Sequence, residues 1–246
     1  MQTREPVIQV THLYKKYGDF KANDDLNFEV YKGEIFGFLG ANGAGKTTAM
    51  RILCGLSAPT SGKAMVAGFD VGMQPEKVKR NIGYMSQKFS LYDDLTIWEN
   101  MRLYAGIYGL TGKAFQQRAT GLLDELRFTD HRHELISTLS LGWKQKLAFT
   151  VALIHRPAIV FLDEPTGGVD PVTRRQFWEM IYEAAHQGTT IFVTTHYMDE
   201  AEYCDRITIM ADGKIKALDT PANLKASLGV ASMNEVFVAL TRSVTG

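Results

Sequence analysis

The chain has 246 residues, enough for one large domain or two tightly joined lobes around a sizeable core. Hydrophobic residues make up 45% and charged residues 22%, and 27 Lys plus Arg against 27 Asp plus Glu leave no net charge to steer the chain toward nucleic acid or an anionic membrane. The two cysteines, Cys54 and Cys204, and the six histidines lack metal-ligand spacing, which argues against a disulfide scaffold or a metal-knuckle fold and suits a reducing cytosol.

The polar N-terminus, broken by Pro6, does not read as a signal peptide. Val7, Ile8 and Val10, a turn at Tyr17-Gly18-Asp19, then Leu26, Phe28 and Val30 in alternation predict β-structure. Residues 34–39 form a short apolar strand that runs into a glycine-rich loop. Residues 46–56 then show helical spacing, ended by Gly55 and Pro59. Strands are predicted at 62–69 and 82–85. From 88 to 156 strands vanish, and helical patterns cover 96–108, 113–127 and 142–154. Strands return at 159–162, 190–195 and 207–210, separated by helices at 172–186 and 198–204. Residues 214–218 add a strand after the Asp212-Gly213 turn, and helices at 221–227 and 233–240 close the chain. The alternation predicts an α/β fold with a mainly parallel sheet, a small antiparallel β part from the N-terminal region and an inserted helical lobe. The lobes divide at 1–87 with 157–246, and at 88–156. The longest apolar runs, such as 147–154, are far below membrane-spanning length.

Residues 40–47 read Gly-Ala-Asn-Gly-Ala-Gly-Lys-Thr and match G-x-x-x-x-G-K-[ST] without departure. Gly40, Gly43 and Gly45 let the backbone wrap so that its N–H groups face an anion. The following helix turns its positive end to the same anion. Lys46 reaches the β- and γ-phosphates of a nucleotide, and the Thr47 hydroxyl is a Mg²⁺ ligand. The motif alone does not choose ATP over GTP.

At 159–164, four apolar residues end in two carboxylates. Such a run is a buried parallel strand, and its carboxyl end is where open α/β sheets bind ligands. Asp163 is placed to hold Mg²⁺, and Glu164 to orient or deprotonate an attacking water.

These residues resemble the nucleotide-binding subunit of ATP-binding cassette (ABC) transporters, in the family's motif order and over nearly the whole chain, from about Val7 to Leu240. The resemblance implies that Gly40, Ala41, Asn42, Gly43, Ala44, Gly45, Lys46, Thr47 and Thr48 hold ATP with Mg²⁺, and that Tyr17 stacks on its adenine. Gln87 matches the glutamine that senses Mg²⁺ and water, and His196 the switch histidine that contacts the γ-phosphate. Thr194-Thr195 and the acidic stretch with Asp199, Glu200 and Glu202 fit the same context. Leu139-Ser140-Leu141-Gly142-Trp143 matches the signature loop, with Leu141 in place of its first glycine and Trp143 in place of its glutamine. Ser140 and Gly142 remain, so the loop is expected to grip a γ-phosphate across a dimer. Asp170 matches the aspartate of the D-loop.

The resemblance also implies partners. Two such domains meet head to tail with two ATP molecules between them, as a homo- or heterodimer. The segment 89–96, with Phe89, Leu91 and Tyr92 among acids, lies in the family beside the groove for a cytoplasmic helix of the membrane subunit. The motif flavour resembles ABC-2 type bacterial exporters, which place the ATPase at the cytoplasmic face of the membrane beside separate permeases. A soluble ABC ATPase acting on ribosomes or nucleic acid, or one cassette of a longer tandem polypeptide, is the alternative.

Overall fold

A computed structural model describes residues 5–88 and 91–242. Strands β1 (Pro6–Tyr17) and β2 (Phe20–Tyr31) form a hairpin whose two-residue connection starts at Gly18, with φ +58°. Alternation buries Ile8 and Val10 opposite Val30 and Phe28. A register shift follows Val10, where His12 takes a left-handed φ of +47°, so Leu13 again faces the core. Strand β3 (Ile35–Gly40) leads into α1 (Lys46–Leu53). Strand β4 (Ser61–Val66) pairs with β1, and β5 (Phe69–Asp70) returns on β4, giving a four-stranded antiparallel sheet in the order β2-β1-β4-β5.

The expected single strand at 62–69 is thus broken. Ala67 and Gly68, with φ of +50° and +81°, turn the chain between β4 and β5. The helix expected at 46–56 stops at Leu53, with the N–H of Leu56 bonded back to the Arg51 carbonyl. Helix α2 (Pro75–Asn81) was not foreseen, because its single buried apolar residue, Val78, leaves no periodicity to detect.

The remaining strands are β6 (Ile82–Met85), β7 (Ile159–Asp163), β8 (Thr190–Thr195), β9 (Arg206–Ala211) and β10 (Lys214–Asp219). With β3 they make a second sheet in the order β10-β9-β3-β8-β7-β6, parallel throughout except for the β9–β10 hairpin at its edge. Phe36 and Phe38 of β3, Phe28 of β2, Phe192 of β8 and Phe161 of β7 pack between the two sheets, with ring centroids 5.1 to 6.3 Å apart. Each buried phenyl contributes about 1.5–3 kcal/mol, so this cluster is a main tie between the sheets.

Helices α3 (Ile97–Ile107), α4 (Gly112–Glu125) and α5 (Leu141–Ala152) follow β6. A capping box between Thr96 and Glu99 starts α3. Leu147 and Val151 of α5 join the core of these helices, while Ala148, Phe149 and Ala152 pack on the parallel sheet with α6 (Pro171–His186). Helix α5 is therefore the wall common to both cores. Helices α7 (Pro221–Leu228) and α8 (Met233–Arg242) cover Leu39, Ile207 and Ile209.

The helix expected at 198–204 is only a 3₁₀ turn, Glu200–Tyr203. Its acids do not share a solvated face, because Glu200 is fully buried. No helix among the described residues is long and apolar enough to cross a membrane.

Candidate active site

In the sheet order β3-β8-β7-β6 the strands are parallel, so their carboxyl ends share one edge. Across that edge the chain delivers the 40–47 loop, then His196, then Asp163 with Glu164, then Gln87. Segments more than one hundred residues apart in sequence meet because the sheet interleaves their strands.

The loop is built for an anion. Gly43 and Gly45 take φ of +83° and +100°, which side chains disfavour. A Cβ on Gly45 would stand 2.3 Å from the Ala22 carbonyl oxygen, and one on Gly40 would stand 2.7 Å from that of Met210. Buried Asn23 donates from Nδ2 to the Gly45 carbonyl at 3.1 Å and steadies the loop. No side chain caps the start of α1, so its first N–H groups remain available to a phosphate. Lys46 is only 4% exposed. Its Nζ donates to the carbonyls of Gly40 at 2.7 Å and Ala41 at 3.2 Å and lies 3.3 Å from Glu164 Oε1. Ala44 N bonds Ala41 O at 3.1 Å within the loop, and Ala41, Asn42 and Gly43 are exposed at its rim. Thr47 and Thr48 begin the helix behind it.

Asp163 is buried at the end of β7, and its Oδ1 accepts from Thr194 Oγ1 at 2.7 Å and Thr47 Oγ1 at 3.2 Å. Burial pushes its carboxyl up; the two hydroxyls and Lys46 pull the other way, and Glu164 adds to the rise. Such a site favours a bound cation. Thr47, Asp163 and the Gln87 amide offer hard oxygen atoms of the kind Mg²⁺ takes, with phosphate and water completing its shell. Among the described residues, no group of three or more His, Cys, Asp or Glu could hold a metal by itself. Thr47, Asp163 and Gln87 leave most of an octahedral shell to phosphate and water, which fits a cation that arrives with a nucleotide.

Glu164 is where the edge converges. It accepts from Gln87 Nε2 at 3.1 Å and pairs with His196 Nδ1 at 3.0 Å and Lys46 at 3.3 Å. Its backbone sits at φ +48°, a conformation that costs a non-glycine residue about 1 kcal/mol or more. Its N–H is held by Thr194, through the carbonyl at 3.1 Å and Oγ1 at 3.0 Å.

Tyr17 ends β1 with its ring more than half exposed and Lys15 Nζ 5.0 Å from the centroid. Ser140 is the exposed residue before α5, and its side chain caps nothing in that helix. Gly142 faces α6, where a Cβ would lie 2.6 Å from Thr173 Cγ2. Ser140 and Gly142 are not bonding partners of Lys46, Asp163 or Glu164. Trp143 stacks on Phe128 with centroids 4.2 Å apart, and Lys146 Nζ lies over the Trp143 ring, 4.7 Å from its centroid. Gln145, buried, donates to the Gly167 carbonyl at 3.1 Å. Asp170 caps α6 by accepting from the N–H groups of Val172 and Thr173. Of the 89–96 segment, Phe89 and Ser90 lie outside the described residues. Leu91 packs against both the helical and the sheet cores, and Tyr92 is exposed.

Three residues have roles that the sequence did not assign to them. Thr194 fixes both carboxylates, Asn23 braces the loop, and Gln145 bridges to Gly167. The family resemblance had already placed Thr194 near His196, but gave it no role. The other two have partners 22 residues away and gave no signal.

A phosphate loop, paired carboxylates on a nearby parallel strand, and a glutamine and a histidine closing on the second carboxylate define a P-loop ATPase cassette. The profile of the family described as ABC transporter matches residues 23–167, and the chain belongs to that family. It is 49% identical over 222 residues to the probable multidrug ABC transporter ATP-binding protein YbhF of Escherichia coli, covering 90% of this chain but only 38% of that protein. It is 35% identical to the linearmycin resistance ATP-binding protein LnrL of Bacillus subtilis, covering 97% of this chain and 79% of the relative. The solved ATP-binding subunit of an ABC transporter superposes with a TM-score of 0.86 at 32% identity, over 96% of this chain and 99% of that one. A dimeric ATP-binding cassette in a post-hydrolysis state with ADP and Pi matches at TM-score 0.78 and 25% identity, over 87% and 98%.

Proposed function

We propose that this chain is the ATP-hydrolysing unit of an ABC-2 type export complex, working as a head-to-tail pair at the cytoplasmic face of a membrane and driving a separate permease. The observation that carries the reading is the meeting of Lys46, Gln87 and His196 on Glu164, beside the Asp163–Thr47 pair. In the reaction, Glu164 orients the water that attacks the γ-phosphorus and takes its proton. The bond from the γ-phosphorus to the bridging oxygen breaks, leaving ADP and phosphate. Lys46 and the N–H groups of 43–48 bear the phosphate charge, and His196 contacts the γ-phosphate. Thr47, Asp163 and Gln87 would hold Mg²⁺, which would supply neutralisation of the phosphate charge. Tyr17 offers its exposed ring to the adenine.

The signature loop completes the partner's site. Leu141 is accommodated because it is 42% exposed and only grazes Gly168. Trp143 is held in its stack with Phe128, so Ser140 and the start of α5 remain presented outward. The dimeric cassette relative supports the pairing. A groove of about 450 Å³, lined in part by Tyr84, Leu91, Tyr104, Ile107 and Tyr108, suits a short amphipathic helix of the permease. The names of the two relatives support drug-like cargo, whose choice lies with the permease. The greater length of the Escherichia coli relative supports the same cassette also working as part of a longer chain.

Steady-state ATPase assays test the reading. Lys46→Ala is expected to lose nucleotide binding or hydrolysis. Glu164→Gln is expected to bind ATP and to hydrolyse it at least about a hundredfold more slowly. Wild-type turnover in Glu164→Gln would remove Glu164 from the chemistry.

A further inference from the structure

A third carboxylate stands behind this cluster. Glu200 is fully buried, and its polar partners are Thr166, Thr195 and Arg174. Its Oε1 accepts from the hydroxyl of Thr166, two residues beyond Glu164. Its Oε2 accepts from the hydroxyl of Thr195, the residue before His196. Both threonines are about 1% exposed. Thr195 Oγ1 also accepts from the N–H of Tyr197 at 3.0 Å, closing the loop around His196.

Arg174 of α6 supplies the opposing charge. Its Nε lies 3.6 Å from Glu200 Oε1, and its Nη1 is 3.3 Å from Asp199. Its guanidinium sits 4.0 Å from the centre of the Tyr197 ring. A buried carboxylate without partners is costly, and here each partner lies in a segment bordering the reaction. The two hydroxyls sit on different carboxylate oxygens, so an amide here would keep one acceptor and set a donor against the other hydroxyl.

We propose that Glu200 is a positioning residue for hydrolysis. It straps the 164–166 turn to the 195–197 loop, so that His196 Nδ1 and Glu164 Oε2 are held at 3.0 Å. Its effect passes through His196. The proposal rests on the reading of Glu164 and His196 as groups at the reacting phosphate, and the experiment separates the two.

The test is a double-mutant cycle on the purified chain with wild type, Glu200→Gln, His196→Ala and the double variant. ATPase kcat and KM are measured, with thermal melting and binding of a fluorescent ATP analogue. Glu200→Gln is expected to lower kcat by about ten- to a hundredfold, with KM for ATP within about twofold. The double variant is expected to be no slower than His196→Ala alone. Losses that multiply, or an unchanged kcat in Glu200→Gln, overturn the proposal while leaving the nucleotide site intact. Wild-type turnover in His196→Ala overturns the underlying reading and the proposal with it. Should Glu200→Gln melt far below the wild type, Thr195→Val opens the same strap without changing the buried carboxylate. The same non-additivity with His196→Ala is expected of it, and multiplicative losses again overturn the proposal.

Discussion

Asp163 and Glu164 are adjacent carboxylates in unequal surroundings. Asp163 is sealed at the strand end against two hydroxyls, whereas Glu164 turns out of the strand at φ +48° to meet two side chains and the Lys46 ammonium. Burial raises Asp163, so its folded form binds a proton more readily than the unfolded chain does. With that sign, the ionised carboxylate costs stability at neutral pH, and the cost vanishes below the ordinary carboxylate range. Asp163→Asn is therefore expected to melt at or above the wild type without nucleotide at pH 7. Both hydroxyls use Oδ1, so the amide oxygen keeps them. The same variant should lose the extra melting temperature that Mg²⁺ adds to ATP. Thermal melts with ATP, with and without Mg²⁺, check both halves. At this scale the contiguous motifs were legible: the 40–47 loop and the 163–164 pair each carry their chemistry in one stretch. The bonds of Thr194 and Asn23 and the burial of Glu200 were not, because each depends on a partner brought in by another strand or turn.

Helix α5 shows how an element can serve two cores. Its apolar residues surround the helix rather than forming one stripe, because Leu147 and Val151 face the helical core and Phe149 and Ala152 face the sheet. His155, just beyond α5, joins the same boundary. Its ring stacks flat on Tyr108 at 3.5 Å, and its Nε2 donates to the Ile82 carbonyl at 3.0 Å. Burial pulls its pKa from 6.5 to about 4. Between those values the unfolded chain takes up a proton that the folded chain refuses. The stability His155 contributes is thus present above pH 6.5 and lost as pH falls toward 4. His155→Gln, which keeps a donor near the Ile82 carbonyl, is expected to flatten the fall of melting temperature between pH 6.5 and pH 4.5. An unchanged slope would show that His155 titrates freely. Elements with strong periodicity, such as α3 and α6, were legible from spacing alone. The helix expected at 198–204 forms only as a 3₁₀ turn, with Glu200 turned inward toward Thr166, Thr195 and Arg174.

At the scale of the molecule, alternating strands and helices foretold a parallel sheet but not its order. The order β3-β8-β7-β6 sets who meets whom, and it depends on long-range pairing that local pattern does not encode. The tie between the two sheets is likewise a tertiary fact, made by five phenylalanines from four strands. The start of α5 packs on the opening of α6 through Gly142 and Thr173, and Gln145 holds the Gly167 carbonyl. Residues that would serve the partner's nucleotide are thus anchored to the turn that follows this chain's own Glu164.

Closure of two chains around ATP is the step on which the proposed function turns, and the mass of the Glu164→Gln protein reads it directly. Light scattering should give one chain mass, 27.5 kDa, without nucleotide and twice that mass with ATP and Mg²⁺. A single chain mass in saturating ATP, with binding shown separately, would contradict pairing through this signature loop and would point to Leu141 and Trp143.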